Sequence, residues 1–139
     1  MLDASIVAAG RVLLAALFLI SGLSKIGAFE ATTAYIASAG LPFPVLAYIA
    51  TLAVEIGGGL LLVVGFQARP VAAAIALFAV ATAIFLHNNF SDQNQAIHFF
   101  KNFAIAGGLL QVVAAGAGRI SLDARRYASR SPDASALAT

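Results

Sequence analysis

Three charged residues sit inside stretches that are otherwise apolar: Arg11 in SIVAAGRVLLAALFLISGL, Glu55 in VLAYIATLAVEIGGGLLLVVG, and Lys101 a few residues into a later apolar run. A carboxyl in a low-dielectric interior can hold or pass a proton, and a nearby lysine or arginine can donate hydrogen bonds to an anionic or electron-rich ligand. Spacings of three and four residues return to one helix face and bring neighbours to each charge. Arg11, Ala15, Phe18, Gly22 and Lys25 form one stripe, Tyr48, Glu55, Gly59 and Leu62 a second, and His98, Lys101, Asn102, Ile105 and Gly108 a broad third. The candidate site is therefore a buried polar cluster of Arg11, Lys25, Glu55, His98, Lys101 and Asn102. Arg11 and Lys101 against Glu55 leave one positive charge uncompensated, which favours an electron-rich ligand.

Other chemistry is sparse. His87 and His98 bracket the polar loop HNNFSDQNQ, with Asn88, Asn89 and Asp92 close by. A haem held by both imidazoles, or a metal held with Asp92, would rest on that pair alone, and histidines at such helix ends more often cap or hydrogen-bond. No metal site is expected. The chain has no cysteine, which excludes disulfides, thiol catalysis, thiolate-bound metal and covalently attached haem. It contains no HExxH, GxSxG, Walker or GxGxxG motif.

The elements that must position these charges are membrane spans. Of the 139 residues, 61% are hydrophobic and 10% charged, and the mean hydropathy is +0.95. So few ionisable groups cannot cover the surface of a water-soluble domain. The net charge of +2 is too small for a nucleic-acid footprint. Four apolar runs of roughly spanning length occupy residues 5–23, 45–65, 70–87 and 96–117. The predicted fold is an all-α integral membrane protein, a four-helix transmembrane bundle. Between the first two spans, Ile26, Phe29, Thr33, Ile36 and Ala37 recur at helical spacing before Gly40 and Pro42, which predicts a short interfacial helix. Residues 1–128 read as one transmembrane domain and 129–139 as a disordered tail. Arg69, Arg119, Arg125, Arg126 and Arg130 fall on one side of the four spans, so both termini are expected in the cytoplasm of a cell whose inner membrane holds the protein.

The residue pattern resembles the DoxX family of small four-span membrane proteins. The resemblance rests on Arg11, Phe18, Gly22 and Lys25 in the first span and on Glu55, Gly57 and Gly58 in the second. It continues through Phe90, Gln95, Phe99, Lys101, Asn102, Gly107 and Gly108 to Ser121, Leu122 and Asp123. The family is related to the DoxD subunit of thiosulfate:quinone oxidoreductase. The resemblance implies an accessory subunit of a quinone-linked or redox-related complex, with an oxidoreductase partner and a non-covalently bound quinone as the only cofactor. In that reading Lys101, Arg11, His98 or Asn102 donates to a quinone carbonyl and Glu55 handles a proton. The alternatives are a non-catalytic membrane scaffold and a small-solute or proton transporter, the latter helped by homo-oligomerisation.

Overall fold

The computed structural model describes residues 3–130, and all regular structure among them is helical. Helix α1 spans Ala4–Ile26, opened by Asp3, whose side chain accepts the Ser5 N–H at 2.8 Å. Helix α2 is the expected interfacial helix, Phe29–Ser38, closed before Gly40, whose φ is +81°. The second span, Pro44–Val64, is composite: α3 (Pro44–Leu52), a π-helical turn (Ala53–Gly58) and α4 (Gly59–Val64). Helix α5 covers Ala68–Leu86, α6 Gln93–Ala115 and α7 Leu122–Arg130.

The four spans are thus present, each long and apolar enough to cross a bilayer. The third begins at Ala68, two residues before the proline that suggested its start. Asp123 is the reason: its carboxylate accepts the Gln67 and Ala68 N–H groups at 2.8 and 2.9 Å, satisfying donors that a helix start leaves orphaned. Of the expected tail, Ser129 and Arg130 close α7, and 131–139 lie outside the described residues.

α5 and α6 form the most extensive helix pair, while α1 packs on α4 and the π turn. The core they share is built of small side chains, Ala15, Ala72, Ala76, Ala79 and Ala106, set around Phe18, Leu62, Ile75 and Leu109. Lipid tails are as apolar as leucine, so such helices associate through close van der Waals contact, which alanine faces permit. Many other large apolar residues point outward; Leu13 and Leu77 are each 72% exposed.

Candidate functional site

Glu55 is built into the bundle by the π turn. A π turn inserts one extra residue per turn, and such turns recur at functional sites. Here it presents Glu55 to α1, where the residue as a whole is 5% exposed. Close approach at this crossing depends on Gly22: a Cβ there would lie 2.6 Å from Ile56 Cγ1 and 3.1 Å from Glu55 Cβ. Gly58 and Gly59 likewise admit Ile75 and Leu19, whereas Gly57 faces open space.

The partner of Glu55 is Lys25. Its Nζ donates to Glu55 Oε2 at 2.9 Å and Oε1 at 3.1 Å, and to Ser21 Oγ at 2.6 Å, while Ser21 Oγ donates to Glu55 Oε1 at 3.1 Å. This is the one ion pair among the described residues. Lys25 is half-buried near the end of α1, so the pair leads from a buried carboxylate toward the bundle end opposite the arginine-rich one. Tyr48 supports it: its hydroxyl donates to the Lys25 carbonyl at 2.9 Å, and its ring meets Phe29 edge-on at 5.0 Å. Two oxygens, one ammonium and one hydroxyl within hydrogen-bond reach can exchange a proton and can stabilise the carboxylate when it is ionised.

The single six-residue cluster expected from the helix stripes is not formed; of that set only Lys25 and Glu55 join across two helices. Arg11 is buried as the stripe predicts, at 3% exposure, but at the other end of the bundle. Its guanidinium donates to the carbonyls of Leu62 at 2.6 Å, Val63 at 2.7 Å and Ile120 at 2.6 Å. These are the last carbonyls of α4 and the loop before α7, so Arg11 caps a helix C-terminus and ties three segments together. Its Nε is buried without a partner. Gly65, at φ +70°, leaves room for this guanidinium; a Cβ would lie 2.7 Å from Arg11 Nη1.

The three candidates on α6 separate from both groups. α6 buries Ala106 and Leu109, which turns Lys101 to the outside of the bundle beside Ala96, Ile97, Phe100 and Ala104. Among the described residues no acceptor meets its ammonium. Asn102 is half-buried and donates to its own helix at the His98 carbonyl, 3.1 Å away. His98 is exposed and stacks near His87, ring centres 5.1 Å apart. The four alternative donors to a quinone carbonyl, Arg11, His98, Lys101 and Asn102, do not line one common pocket. The donors lie at opposite ends or on the outer face, and Arg11 is consumed by backbone carbonyls.

His87 follows α5 as its C-cap and shares a 3.2 Å contact with Gln95. Burial pushes its pKa below the ordinary imidazole value; the Gln95 bond opposes this and His98 adds to it. No group of three metal-ligating side chains occurs among the described residues. Two contributors escaped the sequence. Ser21 lies one residue off the Gly22 stripe, and its only signal is its position one turn before Lys25. Asp123 was legible as a motif residue but not as the cap of a helix that starts 55 residues earlier.

The sequence model of the DoxX family matches residues 6–88, which include Arg11, Ser21, Lys25, Tyr48 and Glu55. The chain belongs to the DoxX family. It is 36% identical over 120 residues to the inner membrane protein YphA of Escherichia coli K12, covering 83% of this chain and 86% of that protein. It is also 35% identical over 113 residues to the inner membrane protein YqjF of the same organism, covering 81% and 85%. Both relatives are inner membrane proteins by name, in agreement with a DoxX chain that carries four spans. No solved structure matches the chain.

Proposed function

We propose that this DoxX protein is an accessory membrane subunit of a redox-related, quinone-linked complex, and that its contribution is a proton-handling carboxyl, Glu55. The observation that carries the reading is the Glu55 carboxylate, buried on a π turn and reached through one part-exposed cation, Lys25, and one hydroxyl, Ser21. An ionisable residue inside a spanning segment is costly to keep and is typically functional. A partner oxidoreductase supplies the electrons, and the quinone belongs at its surface rather than within this bundle. The proton moves between Glu55 and the Lys25 end. Both termini lie in the cytoplasm, by the arginine excess at their end.

The test compares membranes containing wild type, Glu55→Gln and Glu55→Asp at equal protein levels. Proton uptake coupled to quinone reduction should fall at least tenfold with glutamine and recover in part with aspartate. Unchanged coupling in Glu55→Gln overturns the proposal.

A scaffold role is the second reading, favoured by Arg11, whose three bonds to carbonyls are purely structural. It predicts that Glu55→Gln lowers bundle stability and changes no coupled proton movement.

A further inference from the structure

At the arginine-rich end, a cleft of about 590 Å³ opens between the α4–α5 turn, the α6–α7 loop and α7. Arg69, Arg119, Arg126 and Arg130 line it, with Asp123 as the acid among the lining residues. Asp123 is already engaged by the Gln67 and Ala68 amides. Among the described residues no carboxylate lies within 4.0 Å of any of the four guanidiniums. Four arginines against one acid leave a net charge of +3 around the cleft.

One of these arginines stacks on a ring and a second lies close to backbone. Arg126 stacks over Phe66, its Cζ 4.9 Å from the ring centre. Arg69 lies against Gly116, where a Cβ would come within 3.2 Å of its Nε. Gly116 adopts φ +81° at the end of α6, so the same glycine both turns the chain and admits the guanidinium. Ordered cations facing a cavity lower the entropy cost of binding an anion there.

We infer that this cleft binds the phosphate of an anionic phospholipid headgroup. Arginine forks match phosphate oxygens in a bidentate manner. The cleft lies where the α4–α5 turn and the end of α6 leave the apolar spans, the level at which phospholipid phosphates reside. Basic pockets at the ends of spanning helices recognise such headgroups. Tyr127, 77% exposed on the same short helix, suits the headgroup layer, where amphipathic rings sit. The inference is independent of the Glu55 reading, since none of Ser21, Lys25, Tyr48 and Glu55 lines the cleft.

The full-length protein in neutral detergent is offered equal amounts of phosphatidylglycerol and phosphatidylcholine, and retained lipid is scored by native mass spectrometry. Phosphatidylglycerol should be retained preferentially. The double variant Arg119→Gln/Arg130→Gln should weaken that retention about thirtyfold. Arg125→Gln, which removes a charge from α7 outside the cleft, should change it little. The paired Arg119→Lys/Arg130→Lys variant keeps both charges and should lose less than the glutamine pair, which separates lost binding from lost folding. Equal retention of the two lipids, or wild-type retention by the glutamine pair, overturns the inference. Inorganic pyrophosphate bound as tightly in lipid-free detergent, with the same arginine dependence, overturns the lipid source.

Discussion

The Lys25 ammonium lies 2.9 Å from Oε2 of Glu55, yet the two side chains differ in surroundings: 27% of the lysine is exposed and 6% of the glutamate. Removing the lysine therefore strands a buried carboxylate, whereas removing the glutamate's charge leaves a cation that can reach the headgroups. Lys25→Met should destabilise the bundle by about 3 kcal/mol and Glu55→Gln by less, with the double variant recovering part of the lysine loss. Unfolding by SDS titration in mixed micelles gives the four corners of that cycle. Equal losses from the two single variants would refute the asymmetry.

Arg11 makes its three bonds through Nη1 and Nη2, a fork that one ammonium cannot reproduce. Arg11→Lys should cost about 2 kcal/mol, because at least one buried carbonyl loses a charge-assisted donor. Hydrogen exchange should locate the loss at the α4 terminus and the loop around Ile120, leaving the Glu55 crossing protected. Faster exchange at the Glu55 crossing alone would contradict the clamp.

Much of this architecture was readable in advance because bilayer thickness and helical periodicity act locally. Runs of apolar residues gave the four spans, and the stripes through Ala15, Gly22, Glu55 and Leu62 are buried as their spacing requires. Long-range geometry was not readable. Periodicity ranks the faces of one helix but carries no height relative to another, so Arg11 and Glu55 looked like neighbours although they occupy opposite halves of the bundle. On α6 the inward face is set by Ala106 and Leu109, and at about 100° per residue Lys101 falls roughly 110° away from that direction, so the broad stripe drawn through it runs from the inward face to the outer one. The π turn also has no compositional mark beyond its glycines.

Gly22 and Gly57, on either side of the Glu55 crossing, should respond to alanine with opposite sign. At Gly22 an added methyl would meet Ile56 Cγ1 at 2.6 Å and force α1 from the π turn, so Gly22→Ala should cost about 1–3 kcal/mol. Gly57 has open space at its Cβ, and alanine there restricts the unfolded chain, so Gly57→Ala should be neutral or gain up to about 1 kcal/mol. The same detergent unfolding measurement checks both.

Asp123 should couple two segments distant in sequence. Asp123→Ala removes the acceptor of the Gln67 and Ala68 N–H groups, a capping loss of about 1 kcal/mol. Amide exchange at Gln67 and Ala68 should accelerate in this variant while exchange deep in α5 holds. Faster exchange throughout α5 would show that the cap supports the whole helix rather than its first turn.

His87 provides a pH dependence at the other end of α5. Its folded pKa lies below the ordinary value, mainly through burial, so the unfolded chain binds the proton more readily than the folded one. The stability tied to neutral His87 is complete above about pH 6.5, the unfolded imidazole value, and is lost as pH falls through the lower folded value. Thermal unfolding in detergent should give a lower midpoint at about pH 5 than at about pH 8, and His87→Gln should shrink that difference. A midpoint that rises on acidification, or a difference untouched by His87→Gln, would mean that the imidazole beside Gln95 and His98 is not what senses the proton.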